Sequence, residues 1–130
     1  EGPAWVGTLA KSGIPLCQMM CKESGDPRGS AAAVEPEDWP ATVDVLMRAE
    51  LTHVLSHVYK ATPPHFRAIR WLHPAGGGDN TKAFVKFIDY LGQRLRAGVV
   101  KLNRSGASKA ARTLYLIPPS TSVCAAMGIE

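Results

Sequence analysis

Apolar and polar residues alternate in two short runs at the start of the chain. Trp5, Gly7 and Leu9 fall on one side of the first run, and Leu16-Cys17-Gln18-Met19-Met20-Cys21 carries the second. The pattern predicts two strands, Trp5 to Lys11 and Ile14 to Lys22, joined by a turn at Ser12-Gly13. Glu23 to Ser30 is a polar loop by composition, and Ala31 to Glu35 has the makings of a short strand. Pro36 and Pro40 forbid regular hydrogen bonding around Trp39, so that stretch reads as irregular. Val43 to Met47 reads as the next strand.

The period then lengthens from two to about 3.6. Leu51, Val54, Leu55 and Val58 recur at helical spacing and make one apolar stripe, which Pro63-Pro64 brings to an end. Phe66 to Leu72 is a strand candidate, closed by Pro74 and the Gly76-Gly77-Gly78 loop. The longest predicted helix follows, from Asp79 to Arg96, with Asp79 or Asn80 as candidate N-cap. Phe84, Phe87, Ile88, Leu91 and Leu95 form its apolar face, and Lys82, Lys86 and Asp89 lie away from it. Arg94, Arg96 and Gly98 have the character of a helix C-terminus, where cations complement the dipole. Val99 to Leu102 and Thr113 to Ile117 read as a hairpin about Asn103-Arg104-Ser105-Gly106, and Pro118-Pro119 stops its second strand.

The order is strands, helix, strand, long helix, two strands. It predicts a single α+β domain over 1–130 with a mostly antiparallel sheet or partly open barrel, not a doubly wound parallel fold. At 130 residues such a chain buries roughly two-thirds of its unfolded surface, enough for one core. No apolar run approaches the ~18 residues of a membrane span. Glu1-Gly2-Pro3 lacks signal-peptide character, and the start without Met reads as a domain cut from a longer protein. Three cysteines, an odd number, argue for a reducing compartment rather than a disulfide framework.

Charge changes the picture more than composition does. Residues 1–60 carry 5 basic and 8 acidic groups, a net of −3, whereas 61–130 carry 10 and 3, a net of +7. A basic half points to an anionic partner: nucleic acid, an acidic peptide or a phosphorylated one.

Candidate chemistry is sparse. His53 and His57 are four residues apart on one helix, but Val54 stands where a zinc protease needs Glu, and a third ligand is missing. Cys17 and Cys21 point the same way on a strand but lie ~13 Å apart, too far for one ion, and read as packed apolar groups. Gly76-Gly77-Gly78-Asp79-Asn80-Thr81-Lys82 precedes a helix yet lacks the glycine spacing and Gly-Lys-Ser/Thr ending of a phosphate loop. No nucleophile, base and orienter set and no carboxylate pair emerges, so the reading is of a protein that is not an enzyme, with no metal and no cofactor. The arginines carry more. Arg48 sits at a strand–helix junction, and Arg94 and Arg96 leave the long helix where the chain turns back. Guanidinium groups at element ends can converge on a phosphate or carboxylate.

Three segments resemble one known family. Trp5-Val6-Gly7-Thr8-Leu9-Ala10-Lys11-Ser12-Gly13-Ile14-Pro15-Leu16-Cys17 is similar to the opening strands of plant SPOC domains. Arg94-Leu95-Arg96-Ala97-Gly98-Val99-Val100-Lys101-Leu102 and Leu114-Tyr115-Leu116-Ile117-Pro118-Pro119-Ser120 resemble two later segments of that family. The likeness is greatest to SPOC domains at the C-terminus of plant RNA-binding regulators with RNA-recognition motifs, which act in transcript 3′-end formation and flowering. The resemblance implies a distorted β-barrel of about seven strands framed by helices, whose closing strand would follow Met127-Gly128-Ile129 and is expected to be missing from this chain. It implies a monomeric, nuclear, peptide-binding module in transcription or RNA processing. The expected ligand is a phosphoserine-containing or acidic peptide, such as the RNA polymerase II C-terminal repeat.

By position, the resemblance places Arg48, Arg94 and Arg96 in the binding patch. His57 falls where some relatives have Tyr, and His65 where some have Lys. A second reading has the basic half contact RNA or histones directly; a third is a dimerisation domain. Single-strand binders interleave exposed aromatics with cations. Phe84, Phe87, Trp71 and Tyr115 are all expected in the helix stripe or the sheet, which favours peptide over RNA.

Overall fold

Ser12 and Gly13, with φ of 50° and 82°, make the tight turn that folds β1 (Trp5–Lys11) back on β2 (Ile14–Cys21) in antiparallel register. Asp44 pins this turn by accepting the Gly13 N–H at 3.0 Å. The computed structural model describes residues 3–22, 39–63, 69–102 and 112–129. The expected loop at Glu23–Ser30, the strand at Ala31–Glu35 and the turn at Asn103–Gly106 lie outside them.

β3 (Thr42–Val45) runs parallel to β1, with Leu9 opposite Val43 and Lys11 opposite Val45. At Leu46 the chain leaves that sheet. β4 (Met47–Glu50) pairs instead with β6 (Arg96–Leu102), Arg48 opposite Gly98 and Glu50 opposite Arg96. The single strand expected at Val43–Met47 is therefore two, one in each sheet. β5 (Leu72–Pro74) adds to β2, and β7 (Arg112–Leu116) adds to β6. The sheets have the orders β3-β1-β2-β5 and β4-β6-β7. The α+β class and mostly antiparallel pairing are as expected, but among the described residues the seven strands do not close into a barrel.

Helical spacing at Leu51, Val54, Leu55 and Val58 forms α1 (Leu51–His53), which continues as a π-helical stretch over Val54–Tyr59. Leu51 and Val54 are buried beneath it. α2 (Asp79–Gln93) buries Phe87 and Leu91, with Phe84 and Ile88 half-buried, while Lys82, Lys86 and Asp89 face solvent. α3 (Thr121–Met127), not anticipated, is capped by Ser120 Oγ accepting the Val123 N–H at 3.2 Å, and stops at Gly128, φ 74°.

β6 is buried on both faces. Val100 and Leu102 join Trp5, Leu9, Met19, Val43, Phe87 and Leu91 in the main core, while Ala97 packs with Leu51, Val54 and Val123 in a second cluster. Cys17 and Cys21 are buried free thiols; burial raises the pKa of the Cys17 thiol.

Three expectations are corrected. α2 ends at Gln93 rather than Arg96: Leu95 takes a left-handed φ of 54°, its carbonyl accepts the Leu51 N–H at 2.9 Å, and Arg96 begins β6. Leu95 is consequently 61% exposed, not core. The helix starts after Gly78, with no side-chain cap from Asp79 or Asn80; the Asn80 amide instead ties the helix to Gln18 and Ala75. Finally, of the strand expected at Phe66–Leu72, residues 66–68 lie outside the described residues, 69–71 are not strand, pairing begins only at Leu72, and Trp71 just ahead of it is 40% exposed.

Candidate functional site

Three cations from three elements meet over one aromatic ring. Tyr90 stands on the penultimate part of α2, held by a stack on buried Phe87 with ring centroids 6.1 Å apart. Lys11, at the end of β1, places Nζ 4.5 Å from the Tyr90 centroid. Arg94, one turn beyond Tyr90, places its guanidinium carbon at 4.6 Å, and Arg48 on β4 places its own at 5.6 Å. Arg48 also donates a hydrogen bond to the Tyr90 hydroxyl.

Each position has a separate cause. Parallel pairing of β1 with β3 sets Lys11 opposite Val45, and the change of sheet at Leu46 then brings Arg48 round. The early end of α2 leaves Arg94 free of regular helix, with its N–H on the Tyr90 carbonyl at 3.3 Å. The stripe that buries Phe87 and Leu91 fixes the rotation of α2, and so turns Tyr90 to the rim.

The electrostatics are one-sided. Among the described residues, no carboxylate lies within ion-pair distance of Lys11, Arg48 or Arg94; Arg96 pairs with Glu50 at 4.0 Å. Burial pushes the Tyr90 hydroxyl pKa up, but the charges of Arg48, Lys11 and Arg94, with a hydrogen bond from Lys11, outweigh it and hold it below the usual tyrosine range. The cluster favours whatever negative charge can reach it. Contacts of cations with a partly exposed ring hold them in place at about 0.5–1 kcal/mol each.

Of the residues read from the sequence, the structure brings Arg48 and Arg94 together. Arg96 is not on the helix. It opens β6 opposite Glu50, and since Arg48 and Glu50 alternate on one face of β4, Arg96 shares that face at the rim of the cluster. His57 is exposed and stacks on His53, ring centroids 4.9 Å apart and 15° between planes, away from the contacts to Tyr90. His65 lies outside the described residues. No group of three or more metal-ligating side chains forms among the described residues.

Sequence reasoning missed Lys11 and Tyr90. Tyr90 was legible: Lys82, Lys86, Tyr90 and Arg94 recur every fourth residue and must share one helix face. Lys11 was not, because its place depends on pairing with a strand about thirty residues away.

No curated protein matches the chain. The family model for the SPOC domain matches residues 1–128, nearly the whole chain and every element described above, and the chain belongs to the SPOC family of protein-interaction domains.

Proposed function

We propose that this domain binds a short phosphoserine-containing or acidic peptide at the Tyr90 cluster, as a module of a nuclear transcription or RNA-processing protein. The observation that carries the reading is the convergence of Lys11, Arg48 and Arg94 on the Tyr90 ring with no carboxylate among the described residues to neutralise them. A phosphoserine supplies about −1.5 to −2 charges and three acceptor oxygens in the space of one side chain. Guanidinium and ammonium donors arranged around a point suit that compact dianion, and Arg96 at the rim adds a fourth cation once its hold on exposed Glu50 is shared. The resemblance to plant SPOC domains supports placing the module in a protein with RNA-recognition motifs that acts on transcript 3′ ends.

One small polar patch gives affinity in the micromolar range, roughly −7 to −9 kcal/mol. Titration calorimetry with phosphorylated and unphosphorylated polymerase-repeat peptides tests it. Binding of the phosphorylated form, abolished by Arg48→Ala or Arg94→Ala at unchanged melting temperature, is the expected result. Direct RNA contact is the second reading, favoured by exposed Trp71, which offers a stacking surface. Tight binding of single-stranded RNA with a steep salt dependence, and none of either peptide, would replace the first reading with the second.

A further inference from the structure

A shallow open groove runs from the Tyr90 cluster along the exposed face of α2, lined by Lys82, Val85, Lys86, Asp89, Tyr90 and Arg94 among others. Lys82, Lys86 and Tyr90 on α2 and Arg94 at its C-cap stand four residues apart, so they form one line inclined about 26° to the helix axis. Lys82 and Lys86 are exposed. Among the described residues neither ammonium is in an ion pair with a carboxylate.

The spacing of that line matches an extended peptide. One step of four residues on a helix advances about 6 Å, at 1.5 Å per residue. Two residues of extended chain advance about 6.6–6.8 Å and return the side chain to the same face. A peptide laid along α2 with one phosphate at Tyr90 therefore presents its second neighbour to Lys86 and its fourth neighbour near Lys82. Residues at odd separations point away from the helix.

From this we infer that α2 carries a second anion subsite centred on Lys86. The preferred ligand holds a second phosphoserine or acidic side chain two residues from the one bound at Tyr90, all on one side of it. The inference rests on the peptide-binding reading of the Tyr90 cluster and adds the sequence rule for its ligand. Val85, 48% exposed beside Lys86, gives the intervening backbone an apolar bed. Asp89 is the one carboxylate among the described residues that line the groove, and it repels a ligand that strays from the lysine line. Asp89→Asn should therefore tighten binding and relax the spacing rule.

The test uses the domain and four synthetic peptides of one parent sequence. One carries a single phosphoserine, two carry a second phosphoserine two residues before or after it, and one carries the second three residues away on the favoured side. Calorimetry at low salt should show about 3- to 10-fold tighter binding for one of the two-residue peptides over the single phosphopeptide. The three-residue peptide should gain about 2-fold or less, since exposed charges held apart by solvent interact weakly. Lys86→Gln should erase the gain while the single phosphopeptide binds as before. If that single phosphopeptide binds and Arg48→Ala abolishes it, but spacing or Lys86→Gln makes no difference, the subsite is refuted and the primary site stands. If the single phosphopeptide does not bind, the primary reading fails and the subsite falls with it.

Discussion

Replacing Gly7 with alanine would drive a methyl group into a place the fold has no room for. A Cβ built on Gly7 falls 2.3 Å from Trp5 Cζ2, 2.8 Å from Cη2 of the same ring and 2.6 Å from the Ala41 carbonyl oxygen. Neither neighbour yields easily. The Trp5 ring is buried, edge-on to Trp39 at 5.3 Å, and its Nε1 donates to the Pro40 carbonyl at 3.1 Å. The Ala41 carbonyl accepts the Thr8 N–H at 2.8 Å, just where β3 begins to pair with β1. Overpacking of this kind costs about 1–3 kcal/mol. Lengthening the Thr8 and Trp5 hydrogen bonds adds about 0.5–1.5 kcal/mol. Gly7→Ala should therefore destabilise by roughly 2–4 kcal/mol, a fall in melting temperature of about 8–15 °C for a domain of this size. Urea unfolding followed by tryptophan fluorescence measures it, with near-ultraviolet circular dichroism reporting the Trp5–Trp39 pair. A loss under about 1 kcal/mol, with that signal unchanged, would refute the close approach of β1 to Ala41.

Leu91, fully buried at the centre of α2's inner face, should lose about 2–5 kcal/mol on truncation to alanine, read as a shift in denaturation midpoint. Ser120→Ala removes the cap of α3 and should cost about 0.5–2 kcal/mol, which Ser120→Asp should restore. The lowered pKa of Tyr90 means that its phenolate is the form the folded state favours. Its contribution to stability is complete above the ordinary tyrosine pKa and is lost as pH falls through the lowered value. Melting curves of wild type and Tyr90→Phe should thus diverge in favour of wild type as pH rises toward the ordinary tyrosine pKa of about 10. Over the same rise phosphopeptide affinity should fall in wild type and not in Tyr90→Phe, because the phenolate competes with the ligand for the same cations.

The sequence carried the elements whose causes are local. Alternation and a turn-forming Ser12-Gly13 pair were enough for β1 and β2, and the stripe from Phe84 to Leu91 was enough for most of α2. The end of α2 was not legible, because Leu95 continues the apolar period of Leu91. What stops the helix is a distant partner, the Leu51 N–H, and the pairing of Arg96 with Glu50. The split of the strand expected at Val43–Met47 was hidden as well, because at Leu46 one run of apolar residues conceals a change of sheet. The seven residues of α3 are too few to display a hydrophobic period, although Ser120 and Gly128 mark both of its ends. At the site, Arg48 and Arg94 could be picked out by their places at element ends. Their convergence with Lys11 is tertiary, set by which strand β1 takes as its neighbour.

The crossing at Leu46 has a consequence for how the domain comes apart. Thr42 to Glu50 is hydrogen-bonded to one sheet through its first half and to the other through its second. Neither sheet can open by itself without pulling on the other, so local fluctuations here are suppressed in favour of a single cooperative unit. Lys11 and Arg48 sit on opposite sides of that crossing, and they keep their separation only while both ladders are closed. Amide exchange at Val43 and at Ala49 should then slow together when the cation cluster is occupied, because a ligand that spans the crossing fastens both ladders at once.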